Sequence, residues 1–409
     1  MSMRVCFVTG EYPPMQGGMG DYTRELSRTL MEQGVQVAVV TSGRVQDSQP
    51  AAVARIKPLV YARVSVWDWR SWGLIYQIAR EWAPQVLHIQ YQTAAYGMHP
   101  AINFLPRWLS FQRAPFKVAV TFHDLLVPFL FKGAGPMREW VNRELARSAD
   151  LAIVTNQGDY VKAAEYHTRH PVRLIPIGSN IRPSPPPGYD RAAWREKLAV
   201  TEGETLISYF GFLNSSKGGE DLVKAMAILR QKGQAVKLIM VGGQVGDSDP
   251  TNVAYLQKIE GLIEALGLGD YVCWTGYTSP EEVTANLLAS DLCVLPYRDG
   301  ASFRRGSLMA ALAHGLPVIT TTPPGPWRPC PGGLPELVHG ENAFLVPPGS
   351  PGQIAEAVEA LVGSASLSTR LGSGASHLAK AFTWDNIARL SVKAYEAIMG
   401  QTDPGVPWH

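Results

Sequence analysis

Short apolar runs alternate with helix-forming stretches along almost the whole chain, and the alternation occurs twice. Apolar runs of this length between turn signals are typical of buried strands. They lie at residues 5–8, 35–40, 86–89, 118–122, 151–154 and 172–175, and then at 206–210, 237–241, 272–275, 292–295, 318–321 and 344–346. Such alternation favours parallel sheets. The sequence therefore predicts an α/β fold with two Rossmann-like, doubly wound parallel-sheet domains that face a crevice, where a ligand is expected.

The two halves are separated by the most proline-rich stretch of the chain, IRPSPPPGY at residues 181–189. A segment of this composition is typical of a stiff linker. We therefore predict an N-terminal domain at residues 1–180, a linker at 181–191 and a C-terminal domain at 192–383. A long amphipathic helix is predicted at residues 384–400.

Charge and cysteine content exclude several classes of function. The formal net charge is only +2, which gives no long-range field for binding nucleic acid. The four cysteines, Cys6, Cys273, Cys293 and Cys330, lie far apart without metal-ligand spacing. No apolar stretch reaches the ~18 residues of a membrane span, and the apolar start is too short for a signal peptide. We expect no cofactor, no metal and a cytoplasmic protein, attached at most to the inner face of a membrane.

The stretch at residues 292–322 reads as strand, polar loop, helix and strand, which places its loop at the carboxyl end of a parallel sheet. Ligands bind at that edge in such folds. Arg304 and Arg305 precede the helix and suit an anionic, hydroxyl-rich ligand. The expected binding residues here also include Asp299, Ser302, Gly306, Ser307 and Leu308.

Three other strand ends carry candidate site residues. Gly17, Gly18, Met19 and Gly20 follow the first strand without the G-x-G-x-x-G spacing, so phosphate or sugar contact and an ordinary glycine turn are equally open. His123 ends another strand and either faces a ligand or is hydrogen-bonded by Asp124 or a loop carbonyl. Lys217, with Asn214 and Ser216 beside it, either binds a diphosphate or is a solvated loop lysine.

Other features favour structural interpretations. The D-x-D at Asp247–Asp249 lies in a turn-forming stretch, which argues against a metal grip. His88 lies within a strand and is expected in the core. The segment at residues 104–117 mixes Trp108, Phe111 and Phe116 with basic residues. It is expected to form an ordinary amphipathic surface helix, and contact with an anionic membrane is the alternative.

The order of several motifs resembles the retaining glycosyltransferases of family 4, which have the GT-B fold, and the resemblance covers nearly the whole chain. The motifs are EYPP with Gly17-Gly18, His123-Asp124, IPIGSNI, GFLNSSKG with Lys217, Gly242-Gly243, TGYTSPEEV, AALAHGLPVITT, GGLPELVHGENAFLVPPG and FTWDNIARLSVKAYEAI.

The resemblance implies a nucleoside-diphosphate sugar donor, a hydroxyl acceptor and no essential metal. Gly18 and Met19 would approach the diphosphate or the sugar, and Lys217 would bind the diphosphate. His123 would hydrogen-bond the donor sugar. The strand end at Gly242 would belong to the donor site, and the backbone around Tyr277 would bind the base. The last helix would pack back on the first domain.

Three positions depart from the family pattern. Phe212 stands where the family's G-R-L-x-x-x-K loop has arginine. Ser302 and Ala310 stand at the two positions of its Glu-x7-Glu motif. Arg304 or Arg305 would restore the missing cation, and Asp299 would replace a missing carboxylate.

The resemblance implies metal-independent, retaining transfer of a sugar, and we expect His123, Lys217 and Arg304 to be the catalytic set. The acceptor would be a sugar, a lipid-linked sugar or a small metabolite. Two alternatives remain open at this point. One is a catalytically silent nucleotide-sugar binder, and the other is a nucleotide-sugar epimerase on the same fold.

Overall fold

A computed structural model describes residues 2–15, 17–43, 57–125, 134–242, 250–325 and 334–400. The chain divides into two compact units. The first unit runs to Gly178 and resumes at Thr383, and the second begins at Ser179 and ends at Phe382.

The first unit is built on a parallel sheet with the strand order β3-β2-β1-β4-β5-β6-β7. The strands are β1 (Arg4–Thr9), β2 (Gln36–Ser42), β3 (Leu59–Val64), β4 (Val86–Tyr91), β5 (Lys117–Phe122), β6 (Leu151–Val154) and β7 (Arg173–Leu174). The helices are α1 (Gly18–Glu32), α2 (Ser71–Trp82), α3 (Ala101–Phe111), α4 (Ala134–Ser148) and α5 (Gln157–Ala164). The edge strand β3 is half exposed and lacks a continuous apolar run, so the sequence pattern did not predict it.

The second unit is built on a parallel sheet with the order β10-β9-β8-β11-β12-β13. The strands are β8 (Thr205–Phe210), β9 (Val236–Val241), β10 (Val272–Trp274), β11 (Leu292–Leu295), β12 (Val318–Thr321) and β13 (Phe344–Val346). The helices are α6 (Arg191–Lys197), α7 (Gly219–Gln231), α8 (Pro250–Ala265), α9 (Pro280–Ala289), α10 (Gly306–Ala313), α11 (Pro351–Val362) and α12 (Ala365–Ala379). The predicted α/β class with two parallel-sheet domains is confirmed.

The final helix, α13 (Trp384–Ile398), is buried against the core of the first unit. Its apolar face shares a cluster with Val5, Phe7 and Tyr22, and the rings of Trp384 and Tyr22 lie 5.2 Å apart. The Thr383 hydroxyl caps the helix by accepting a hydrogen bond from the backbone N–H of Asn386. This is why the first unit includes both ends of the described chain.

Within the described residues, no helix combines the length and the apolar character that crossing a bilayer requires.

Candidate functional site

Lys217 lies at the carboxyl edge of the second sheet, on a single turn of 3-10 helix between β8 and α7. Its Nζ is 3.1 Å from the position that a Cβ on Gly211 would occupy, and Ser307 lies 3.6 Å from the same point. Gly211, whose φ is +118°, therefore leaves room for the ammonium group beside α10. Gly218 fixes the other end of the turn, since a Cβ there would lie 1.9 Å from the Pro296 carbonyl oxygen.

The ammonium group of Lys217 is held close to a second cation. Burial and, to a smaller extent, the positive charge of Arg305 lower the pKa of Lys217 from 10.5 to about 8. Two neighbouring cations in a partly desolvated place repel each other until an anion enters. The pair is therefore suited to bind and neutralise a diphosphate.

Arg305 is fixed by its surroundings at the first turn of α10. Its guanidinium stacks on the Tyr297 ring at 4.8 Å and pairs with the Asp299 carboxylate. The Tyr297 hydroxyl is hydrogen-bonded to the Ser307 hydroxyl at 2.7 Å, and both side chains are buried. Tyr297 thus contacts both Arg305 and Ser307 and holds them together, and Lys217 lies beside them.

The remaining residues of this loop are arranged differently. The Arg304 side chain is exposed, while its backbone N–H donates to the Ser302 hydroxyl at 3.3 Å. The carboxylate of Asp299 is 55% exposed and is already paired with Arg305. Along α10, Gly306 is exposed, whereas the side chains of Leu308 and Ala310 are fully buried. The arginine placed beside Lys217 is thus Arg305, although the sequence analysis assigned the catalytic role to Arg304.

The neighbouring strand ends complete this edge of the second unit. Gly242 follows β9 with φ +109° and forms an antiparallel bridge with Gly276. A Cβ on Gly242 would lie 3.7 Å from the backbone nitrogen of Gly211, so the two glycines face each other without side chains between them. Tyr277 is 88% exposed, which leaves its ring uncommitted to the core.

The Lys217 turn is braced by contacts that the sequence analysis did not identify. The Ser216 hydroxyl donates to the Asn214 side-chain oxygen at 2.9 Å, and the Ser216 carbonyl accepts the backbone N–H of Arg298 at 2.8 Å. The Arg298 guanidinium binds the Asp221 carboxylate at 2.8 and 2.9 Å, which raises the pKa of Arg298. The sequence signal was an arginine three residues after the end of β11.

In the first unit, the N-terminus of α1 faces a carboxylate from its own chain. The Glu11 side chain accepts the backbone N–H of Met19 at 3.2 Å. A Cβ on Gly17 would lie 2.3 Å from the Glu11 carboxyl group, so a side chain there would displace this carboxylate. Gly18 has open space beside it, and the side chain of Met19 is buried. Burial raises the pKa of Glu11 despite these backbone hydrogen bonds. The sequence analysis quoted Glu11 within EYPP but gave it no role.

His123 lies at the end of β5, half buried among aromatic and amide groups. Its Nε2 is 2.8 Å from the side-chain oxygen of Gln90, and Tyr22 packs edge-on against the ring at 4.6 Å. Burial lowers the pKa of His123 from 6.5 to about 3, so the ring is neutral near pH 7. The hydrogen-bond partner that the structure gives the ring is therefore Gln90, from the adjacent strand.

His88 is a core residue, as the sequence analysis expected. It is fully buried between the Tyr395 hydroxyl at 2.6 Å and the Thr121 hydroxyl at 2.8 Å. Burial lowers the pKa of His88 to about 3.

Metal ions in proteins are held mostly by His, Cys, Asp and Glu side chains. Asp247–Asp249, Gly243 and Cys330 lie outside the described residues. Among the residues that are described, no group of three or more His, Cys, Asp or Glu side chains is placed to hold a metal ion. Cys6 and Cys293 are fully buried, and burial raises the pKa of both thiols to about 12.

The segment at residues 104–117 forms the end of α3 and the approach to β5. An apolar groove of about 300 Å³ runs beside it, lined by Trp69, Trp72, Phe104, Arg107, Trp108 and Phe111. Phe111 is 74% exposed. The helix is thus amphipathic, with part of its aromatic face uncovered.

Two family models match the chain, one in each unit. The model described as "Glycosyltransferase Family 4" matches residues 16–182. The model described as "Glycosyl transferases group 1" matches residues 204–364.

Several curated relatives are named D-inositol 3-phosphate glycosyltransferase. The protein from Nocardia farcinica is 26% identical over 71% of this chain and 64% of its own length. The one from Corynebacterium jeikeium is 30% identical over 64% of this chain and 60% of its own length. The chain thus spans less than two thirds of these two relatives. The one from Geodermatophilus obscurus is 26% identical over 93% of this chain and 85% of its own length.

Solved structures show the same fold. Sucrose-phosphate synthase from Thermosynechococcus elongatus superposes with a TM-score of 0.70 at 22% identity, over 98% of this chain and 100% of its own. Anabaena HepE in complex with UDP superposes with a TM-score of 0.72 at 18% identity, over 97% of this chain and 100% of its own. At these identities the likeness concerns the fold alone.

Proposed function

Because the chain belongs to glycosyltransferase family 4, we propose that it transfers a sugar from a nucleoside-diphosphate sugar to a hydroxyl acceptor. The observation that carries this proposal is the pairing of Lys217 with Arg305 beside Ser307 at the first turn of α10. A departing sugar leaves negative charge on the diphosphate, and charged donors fixed in advance stabilise that charge. These residues supply two such donors.

We propose uracil as the donor base and a phosphorylated polyol as the acceptor class. HepE, which shares the fold, was solved with UDP and with UDP-glucose. The relatives named above are called D-inositol 3-phosphate glycosyltransferase. A sugar or a lipid-linked sugar is the alternative acceptor that the family resemblance allows.

Metal independence and retention of configuration are further parts of the proposal. Two side-chain cations at the diphosphate site take the role that a divalent metal has in other transferases. Retention follows the family resemblance, with the leaving phosphate accepting the acceptor proton on the same face of the sugar. Transfer in the presence of EDTA tests the first point, and the anomeric coupling constant of the product tests the second.

The experiment that tests the function is a thermal-shift screen with EDTA against UDP, GDP, ADP, dTDP and CDP, followed by their glucose conjugates. A ligand that binds the native state raises the midpoint by mass action. We expect UDP to stabilise the wild type and, at the same concentration, to stabilise the Lys217→Met variant clearly less. Transfer to inositol phosphates would then be measured with the sugar that binds. If no nucleotide stabilises the protein, the donor-site assignment is wrong.

A catalytically silent nucleotide-sugar binder is the second candidate, and a particular observation favours it. Ala310, at the second position of the family's acidic motif, is fully buried and has only a methyl group to offer. Ser302, at the first position, is half buried and uncharged. Stabilisation by UDP-sugars with neither transfer nor slow hydrolysis would establish this alternative.

We also propose a peripheral contact between the first unit and the cytoplasmic face of an anionic membrane. Residues 101–117 carry Arg107, Arg113 and Lys117 next to the exposed Phe111 ring, and Arg107 and Lys117 are paired with Glu144 and Asp150. Aromatic and basic side chains together favour the bilayer interface. Flotation with vesicles containing anionic lipid should decrease in a Phe111→Ser variant. Equal flotation of the variant and the wild type would remove this surface from consideration.

A further inference from the structure

Gln90 is a fully buried polar residue at the carboxyl end of β4, between β1 and β5. It is aligned with Thr9 on one neighbouring strand and with Thr121 on the other. Its side-chain oxygen lies 2.8 Å from Nε2 of His123. Its side-chain nitrogen has no hydrogen-bond partner within the part of the chain that the structure describes. A buried amide nitrogen without an acceptor is costly, and such groups mark places where a ligand completes the hydrogen bonding.

The contact with Gln90 decides which nitrogen of His123 carries the proton. An amide oxygen accepts hydrogen bonds, so this contact requires hydrogen on Nε2 and leaves a lone pair on Nδ1. The opposite amide orientation would place N–H groups against Nε2 and move the ring proton to Nδ1.

The imidazole ring is held in place independently of Gln90. Tyr22 packs edge-on against it, with the ring planes inclined at 81°. The backbone N–H of His123 donates to the Tyr91 carbonyl at 3.0 Å. Since the hydrogen-bonding geometry at Nε2 depends on the Gln90 amide, its orientation bears directly on the tautomer.

We propose that Gln90 is a positioning residue that keeps His123 in the Nε2–H tautomer. In this tautomer Nδ1 accepts a hydrogen bond from a sugar hydroxyl. The unpaired Gln90 N–H then donates to an oxygen of the same ligand. The proposal rests on the sugar-transfer function proposed above and extends it to a second residue. The neutral state of the ring supports it, because a charged imidazolium would have no acceptor nitrogen. A hydroxyl group suits this pair, since it both donates and accepts.

The first test measures the tautomer directly and does not depend on any substrate. Long-range ¹⁵N–¹H spectra of histidine-labelled full-length protein report which ring nitrogen is protonated, and the signal missing from a His123→Phe variant identifies His123. We expect the Nε2–H form in the wild type. Gln90→Glu keeps an oxygen acceptor, so hydrogen should stay on Nε2, and its negative charge also favours protonation of Nδ1. In Gln90→Met, a variant of similar volume, the preference should be lost.

The buried His88 provides the matched control in the same spectra. Tyr395→Phe removes its 2.6 Å partner and should shift the His88 signals without changing the tautomer of His123. Tyr395→Phe lies in the same core and so controls for general disturbance of the unit. An unchanged tautomer in a folded Gln90→Met variant would overturn the positioning role.

The second test uses UDP-glucose hydrolysis and UDP binding as probes. Gln90→Met should lower kcat by roughly 10- to 100-fold, the usual effect of removing the partner that orients a functional histidine, with the Kd of UDP unchanged. Gln90→Glu removes the amide donor and, through its negative charge, favours the imidazolium, which has no acceptor nitrogen, so KM for UDP-glucose should rise. If the wild type does not turn over UDP-glucose, glucose is not the donor sugar, and the tautomer measurement still decides the role of Gln90.

Discussion

The affinity for a nucleoside diphosphate should fall as the pH rises through the pKa of Lys217. Burial and the charge of Arg305 hold this pKa at about 8 in the free protein, below its ordinary value of 10.5. A pKa of about 8 means that roughly 90% of the side chain is charged at pH 7 and roughly 10% at pH 9. The diphosphate of UDP is almost fully ionised over this range, since its last phosphate pKa is about 6.

If only the charged form binds, the Kd of UDP rises about tenfold between pH 7 and pH 9. Isothermal titration calorimetry at half-unit pH intervals measures this. Lys217→Arg should give a flat profile because arginine stays charged throughout. Lys217→Met should raise the Kd at pH 7 by about tenfold or more, the worth of a charged hydrogen bond. Lys224→Met, which changes an exposed lysine of α7, serves as the matched control.

The stability of the protein should change in the opposite sense to its affinity. Because folding lowers the pKa of Lys217, the unfolded chain binds more protons than the folded protein between pH 8 and 10.5. The free energy of unfolding therefore increases as the pH rises through this range. Lys217→Met removes a buried charge and should therefore raise the melting temperature at pH 7 while reducing the stabilisation by UDP. A flat wild-type profile, or wild-type UDP affinity in Lys217→Met, would refute the assignment.

Three further predictions concern neighbouring residues. Arg305→Met should weaken UDP binding by about tenfold or more, and clearly more than Arg304→Met, because Arg305 is the arginine beside Lys217; calorimetry that ranks them the other way contradicts this. His123→Phe should reduce turnover of the donor sugar while the Kd of UDP stays within about twofold, and equal turnover would remove His123 from the site. Gly218→Ala should lower the free energy of unfolding by at least ~2 kcal/mol, because φ is +70° and the new Cβ would lie 1.9 Å from the Pro296 oxygen. Gly233→Ala has φ +76° but open space, so denaturant titration should show a loss of only ~1 kcal/mol, and equal losses would contradict the steric argument.

The sequence predicted the fold class because the relevant signal is local. A strand buried on both faces is made mainly of apolar residues, as in β1, β4, β5, β8 and β11. This pattern is visible in the sequence of each strand without knowing its neighbours in the sheet. The edge strand β3 escaped detection because it is buried on neither face along most of its length. The same local pattern indicated which loops follow strand ends, and so where Lys217, Arg305 and His123 would be found.

The pairing of side chains depended on contacts between distant parts of the chain. Arg304 and Arg305 are equivalent in the sequence, and the stacking of Arg305 on Tyr297 and its charge beside Lys217 distinguish them. Glu11 accepts the backbone N–H of Met19 because the loop that carries Glu11 folds back on the start of α1.

The sequence by itself determined the two α/β domains, the polar strand ends and the family to which the chain belongs. Apolar periodicity and motif order can be read along the chain without knowing any long-range contact. Only the tertiary structure decided that Gln90, 33 residues away in the chain, is the partner of His123. The reason is physical. Hydrogen bonds form over about 3 Å, and the pairing of β4 with β5 in the sheet brings the side chains of Gln90 and His123 within that distance.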